Sequence, residues 1–323
     1  MMGTGPFAVP TFEALVTSRH NICGLVTRPL AGVHRKKRID INPMRESAER
    51  FGLQIHDPYD VNAPEFSNVL EDSAAELFVV CDYGQILSRR VLSLAPLGGI
   101  NLHGSLLPRY RGAAPIQWSI YNGDTVTGNT VIHMTSKLDG GPILKTVELD
   151  IDPEDNAVSV ETKLSQLGPK IVLQCLEMLE QWDRVSETGL PQNPDHASKA
   201  PRLSKSDGQI DWHRSALAIT NQVRAFQPWP GSYCDLVRQR NGKPSTTRLI
   251  LNKVRCYQPN FIGDGSPGEI TVVDDQEIVV QTGQGQLTIL ELQPAGKKNM
   301  ACVDFLRGNP LTPGDQFLQN DSR

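Results

Sequence analysis

Apolar positions along this chain follow two rhythms that alternate through its first half. Short, nearly continuous apolar runs occur at Asn21 to Thr27 and at Glu76 to Asp82 (ELFVVCD). Runs of that length without alternation predict strands buried on both faces, as in a parallel sheet. Leu53 to His56 predicts an edge strand, and Gly128 to Met134 and Ile143 to Leu149 predict two more. Between them the period shifts to that of helices, at Pro10 to Ser18, Met44 to Phe51, Phe66 to Ser73, Arg89 to Leu94 and Val158 to Trp182. Pro43 opens the second of these and Gly52 ends it, while Ser88 suits the N-cap of the fourth. Gly168-Pro169 is expected to split or kink the last. Strands alternating with helices predict an α/β domain with a Rossmann-like, doubly wound, mostly parallel sheet.

The rhythm changes after Asp183. The run from there to Lys205 is polar and proline-rich with no period, and reads as an extended linker. An apolar helix from Ala216 to Phe226 follows, then a rigid turn at Gln227 to Gly231. Five short strand patterns come next: Gly231 to Val237, Thr246 to Tyr257, Glu269 to Val273, Glu277 to Thr282 and Gln286 to Gln293. Closely spaced strands separated by turn signals predict a small OB-like β-barrel. The expected organisation is an α/β domain over 1–183, a linker over 184–205 and a barrel domain over 206–323.

Composition narrows the class. At 323 residues the chain suits two domains, and a net charge of -4 argues against a general nucleic-acid coat while allowing a local basic patch. The six cysteines show no C-x-x-C pair, and Cys23, Cys81 and Cys175 lie in apolar runs, so they read as buried free thiols in a cytoplasmic protein. No apolar run reaches a membrane span, and no histidine spacing suggests a metal site.

The candidate chemistry gathers at Gly98 to Trp118. In the strand around Gly99 to His103, side-chain alternation puts Asn101 and His103 on one face and Ile100 and Leu102 on the other. An amide donor and an imidazole at a strand's C-terminal end can stabilise charge on an oxygen or move a proton. They can equally just bond loop backbone. The following loop, Ser105-Leu106-Leu107-Pro108, is stiffened by its proline. Asp139, in the turn-rich run Ser136 to Gly141, is either a turn residue or a carboxylate that pairs with His103. His133 reads better as a satisfied strand histidine than as a site residue.

Asn101-Leu102-His103, Ser105 to Pro108 and Leu138-Asp139-Gly140-Gly141, in that order, resemble the core motif of the 10-formyltetrahydrofolate-dependent formyltransferases. Tyr83-Gly84-Gln85-Ile86-Leu87 is similar to the family's Ala-Tyr-Gly-x-Ile-Leu-Pro, with Asp82 and Ser88 in place of its alanine and proline. The runs Ile210-Asp211-Trp212, Arg224 to Pro230 and Leu292 to Lys298 resemble the C-terminal domain of the members that act on methionyl-tRNA. At Gly3-Thr4-Gly5 the family has a turn preceded by an apolar strand, so the expected native start lies upstream of Met1.

The resemblance implies that Asn101, His103 and Asp139 are catalytic. It implies that Tyr83, Gly84, Ile86, Leu87 and Ser105, Leu106, Leu107 and Pro108 hold the folate co-substrate, with no metal. It also implies that Arg35, Lys36, Lys37 and Arg38, together with Lys297 and Lys298, meet an initiator methionyl-tRNA, and that the enzyme is a monomer that transfers the formyl group to the methionyl amine. The rival expectation is another user of the same folate: a formyl-folate hydrolase, a sugar-nucleotide formyltransferase or a glycinamide ribonucleotide formyltransferase. A tRNA-binding module without folate chemistry and a nicotinamide oxidoreductase are further alternatives. Gly3-x-Gly5 alone motivates the oxidoreductase, and its third glycine is missing.

Overall fold

Central strands that are apolar on both faces need helices on both sides, and the first half of the chain is built that way. The computed structural model describes residues 1–30, 42–240, 243–257, 265–273, 277–312 and 315–318. The strands of the first half are β1 (Met2–Gly3), β2 (Leu25–Val26), β3 (Ile55–His56), β4 (Phe78–Cys81), β5 (Gly99–His103), β6 (Arg111–Gly112), β7 (Val126–His133), β8 (Ile143–Asp150) and β9 (Lys199–Ala200). Its helices are α1 (Val9–Val16), α2 (Pro43–Arg50), α3 (Pro64–Asp72), α4 (Arg89–Leu92), α5 (Pro115–Tyr121) and α6 (Ala157–Glu180).

The main sheet has the order β3-β2-β1-β4-β5-β7-β8. It is parallel from β3 to β5, and β7 and β8 add on antiparallel. From β1 the chain first winds outward to β2 and β3, then returns to place β4 on the other side. The reversal lies between β1 and β4, and in sheets of this kind the C-terminal strand ends at the reversal border the ligand crevice. Caps set the helices where the sequence placed them: Asn42 accepts from the Arg45 N–H and Ser88 from the Val91 N–H. The helix is not split at Gly168-Pro169, since α6 runs for 24 residues with Pro169 inside it. Gly168 lets the helix approach the sheet there, because a Cβ on it would lie 2.7 Å from Leu102 Cδ2 and 2.8 Å from Thr11 Oγ1. Packing against the sheet outweighs the hydrogen bond that proline removes.

Cys81 and Cys175 are buried free thiols, whereas Cys23 is exposed, at the start of β2 where the strand pairing runs out. A cavity of about 270 Å³ adjoins that point, with Ile22 to Gly24 and Glu76 to Phe78 in its walls.

By internal contacts the chain forms two compact units. One comprises Met1–Ile116, Val126–Ile151 and Ser159–Arg202, and the other Gln117–Thr125, Asp152–Val158 and Leu203–Arg323. The short segments join the second unit through contacts distant in sequence: Tyr121 stacks on Phe226, and the Arg224 guanidinium donates to the carbonyl oxygens of Asp152 and Asp155. The second unit adds α7 (Ala216–Ala225), β10 (Ser232–Arg240), β11 (Lys243–Tyr257), β12 (Ile270–Val273), β13 (Ile278–Gln281), β14 (Gln286–Pro294), β15 (Met300–Ala301), α8 (Cys302–Gly308) and β16 (Gln316–Leu318). Its antiparallel sheet runs β12-β13-β14-β11-β10-β16, and a bridge between Glu269 and Gln316 brings the two ends together into a nearly closed barrel. Trp212, Phe305 and Phe317 fill its core.

Candidate active site

Strand β5 lies between β4 and β7, with Val80 opposite Asn101 and Thr130 opposite His103. Ile100 and Leu102 are buried, and the polar pair projects from the strand's other face, as the alternation requires. His103 is itself only 6% exposed. Its Nε2 lies 2.9 Å from the carbonyl oxygen of Tyr110. A carbonyl can only accept, so Nε2 carries the hydrogen and Nδ1 is the nitrogen free to exchange a proton. That Nδ1 stands 3.9 Å from Oδ2 of Asp139.

Asp139 sits in the left-handed region at φ 46°, a conformation that Asp tolerates better than most residues. Its Oδ2 accepts the Gly112 N–H at 2.9 Å, and its Oδ1 is 3.5 Å from the Asn101 amide nitrogen, at the outer limit of a hydrogen bond. The Asn101 amide makes no closer side-chain hydrogen bond among the described residues, so its N–H groups remain available to a ligand oxygen. An amide, an imidazole and a carboxylate from two separate segments therefore share one small space.

The loop after β5 is held from several directions. Ser105 Oγ donates to the Arg109 carbonyl, and Thr130 Oγ1 donates to the Ser105 carbonyl while accepting from the Leu107 N–H. Leu107 is buried, and the peptide bond to Pro108 is cis. Gly112 has φ +133°, and a Cβ there would lie 2.3 Å from the Ala200 carbonyl oxygen, so only glycine permits the β6–β9 pairing.

Residues 83–87 leave β4 directly beside β5, since Cys81 is opposite Leu102. The side chains of Tyr83 and Leu87 turn into the core, whereas Ile86 is 69% exposed and Gly84 is left-handed. This segment therefore offers a ligand its backbone and one exposed aliphatic side chain. Asp82, also left-handed, rests its carboxylate on Gly5, where a Cβ would come within 1.8 Å of Oδ2. The residue as a whole is exposed, with one side of its carboxylate covered by Gly5. Burial pushes its pKa up to about 6, and the Arg28 guanidinium, which lies against Gly84, pulls the other way. Glu161 is raised as well, by burial and then by the charge of Asp82.

Three further candidate groups remain. His133 bonds to the Leu97 carbonyl and packs edge-on against Trp182, a satisfied strand histidine. Arg35, Lys36, Lys37 and Arg38 lie outside the described residues. Lys297 and Lys298 are exposed on a turn in the second unit, where the Lys297 N–H donates to the Pro294 carbonyl. Among the described residues no cluster of His, Cys, Asp or Glu is arranged to hold a metal, and no helix is long and apolar enough to cross a membrane.

Residues 190–200, expected as linker, belong to the first unit, with a single 3-10 turn at Pro194–His196. Leu190 pairs with Ile143, Gln192 bonds to Arg111 and to the Asp139 loop, and the Ser198 hydroxyl accepts from the Tyr110 N–H. Most of what positions His103 and Asp139 is thus backbone or a lone polar side chain in an irregular run. Neither gives a signal in one sequence.

Known proteins resemble this chain over both units. The family model described as formyl transferase matches residues 1–176, and that described as formyl transferase, C-terminal domain, matches residues 202–310. The chain is 41% identical to the methionyl-tRNA formyltransferase of Rhodopirellula baltica, over 98% of this chain and 96% of that one. It is 37% identical to the enzyme of the same name from Solibacter usitatus, over 98% and 97%. Among solved structures, the sugar 3N-formyl transferase WlaRD shares its fold at a TM-score of 0.62 and 16% identity, covering 92% of this chain and 97% of that one. The domain matches over both units and the near full-length identity place the chain in the formyltransferase family, among the methionyl-tRNA formyltransferases.

Proposed function

We propose that this protein transfers the formyl group of 10-formyltetrahydrofolate to the α-amine of methionyl-tRNA, as the names of its relatives indicate for them. The observation that carries the reading is the convergence of Asn101, His103 and Asp139 beside the loop from Tyr83 to Leu87. The folate supplies a formyl carbon already activated as an N-acyl group. In the net exchange a C–N bond forms to the methionyl amine, the C–N bond to the folate breaks, and one proton passes from the first nitrogen to the second.

The chain's groups fit a flat, hydrogen-bonding heterocycle. Backbone polar groups of 83–87 and the exposed Ile86 side chain border the crevice at the C-terminal strand ends, next to His103. An α-amine has an ordinary pKa of about 7.7–8.0, so a substantial fraction is neutral near pH 7.5 and needs no strong base. The chemical demand is to stabilise charge on the formyl oxygen and to carry the proton. Asn101 donates its amide hydrogens to that oxygen. His103 receives the proton at Nδ1 and returns it, its other nitrogen held by the Tyr110 carbonyl. Asp139 faces the protonated ring and stabilises its charge. The turn at Lys297 and Lys298 and the basic run Arg35 to Arg38 supply phosphate contacts for the tRNA.

The test is to incubate the protein with formyl-labelled 10-formyltetrahydrofolate and methionyl-tRNA and follow the label. Recovery in N-formylmethionyl-tRNA supports the reading. Release as free formate without tRNA dependence overturns it in favour of a hydrolase.

A further inference from the structure

The 190–200 run crosses the chemistry at three points. Gln192 Nε2 donates to the carbonyl oxygens of Asp139 and Gly141, both at 2.8 Å. Its Oε1 accepts from Arg111 at 3.1 Å (Nε) and 2.6 Å (Nη2). One side chain therefore ties the loop that carries Asp139 to the strand β6 that carries Gly112, whose N–H the Asp139 carboxylate accepts. Further along, Ser198 Oγ accepts the Tyr110 N–H at 2.9 Å, and the Tyr110 carbonyl is the partner of His103. Lys199 and Ala200 then pair with Arg111 and Gly112 as β9 against β6.

We infer that residues 190–200 form a strap that sets the distance between His103 and Asp139, with Gln192 as its positioning residue. The amide uses both ends, as only a glutamine or asparagine side chain can: donors toward two carbonyls and an acceptor toward a guanidinium. The Asp139 loop needs such a tie. It holds a left-handed aspartate, and its neighbours Ser136, Lys137 and Leu138 are exposed. Gln192 touches none of the three proposed catalytic side chains. It acts through the Asp139 backbone and through Arg111, so its loss displaces a carboxylate without removing one. Displacements on the order of 1 Å at a reacting group cost about a hundred-fold in rate.

The inference rests on the proposed formyl transfer for its kinetic test but not for its structural one. In Gln192→Met, which keeps the length and loses both hydrogen-bonding ends, kcat is expected to fall by about ten-fold or more, with KM for folate and tRNA within about two-fold of the parent. In Gln192→Glu the carboxylate keeps Arg111 but faces two carbonyl oxygens. Its kcat, relative to the parent, is expected to recover as pH falls toward about 5 and the carboxyl regains a donor hydrogen. Independently of activity, amide hydrogen exchange at Gly112 is expected to speed up by about ten-fold or more in Gln192→Met. Unchanged kcat together with unchanged Gly112 exchange overturns the strap. A parent that transfers no formyl group while Gly112 exchange still responds to Gln192→Met overturns the proposed function and leaves the strap standing.

Discussion

Nδ1 of His103 and Oδ2 of Asp139 face each other at 3.9 Å, while the other nitrogen of the ring is engaged by the Tyr110 carbonyl. The gap is too long for a direct hydrogen bond and short enough for a small shift or one bridging atom to close it. A proton carrier is best left so: oriented on one side, unsatisfied on the other.

If that arrangement carries the proton, His103→Ala and Asp139→Asn each lower kcat by about a hundred- to a thousand-fold, and Asn101→Ala does so through the lost oxygen donor. Each change leaves the cooperativity of thermal unfolding intact. Steady-state formyl transfer with saturating methionyl-tRNA checks this, and kcat within about five-fold of the parent for His103→Ala refutes the assignment.

Gly112 and Gly296 both have positive φ, and they make a matched pair of substitutions. At Gly112 an added Cβ meets the Ala200 carbonyl at 2.3 Å, whereas at Gly296 it meets nothing within 4 Å. Gly112→Ala is expected to destabilise by about 1–3 kcal/mol and to lower kcat, because the N–H that Asp139 accepts must move. Gly296→Ala is expected to cost about 1 kcal/mol from the φ alone, with kcat unchanged. Thermal melts alongside turnover separate the two.

Asp82 makes stability depend on pH. Its pKa rises from an ordinary 3.8 to about 6 on folding, so its contribution is fully present below about 3.8 and is lost as pH rises through about 6. Arg28 opposes this shift, and Glu161, raised by burial and by the same charge, adds to the trend. Asp82→Asn suits the left-handed backbone equally well. Its Tm is expected to match the parent's near pH 4 and to exceed it increasingly from pH 4 to 7. A constant Tm difference across that range contradicts the buried-carboxylate reading.

Lys297 and Lys298 are exposed and available to phosphate. Replacing both with alanine is expected to weaken methionyl-tRNA binding and to reduce the slope of log affinity against log salt by about 1–2, with folate binding unchanged. An unchanged slope removes them from the tRNA surface.

The sequence by itself determined whatever rests on local pattern. Continuous apolar runs specify β4 and its neighbours because a strand covered on both faces has no polar side. Pro43 and Ser88 mark helix starts, the first because the N–H it lacks has no partner in a first turn anyway, the second because a short polar side chain satisfies an otherwise unpaired N–H. Alternation puts Asn101 and His103 on one face whatever surrounds them. Tertiary structure alone decided the rest. Pro169 stays within α6 because Gly168 seats the helix on Leu102 and Thr11, a balance between packing and a lost hydrogen bond that no local window contains. Segments 117–125 and 152–158 cluster with a unit whose main body begins at Leu203, because their contacts are to Phe226 and Arg224. The geometry that sets His103 against Asp139 depends on the Tyr110 carbonyl, the Gly112 N–H and Gln192. Backbone groups are the same in every residue, and a polar side chain in an irregular run declares no partner until the chain has folded around it.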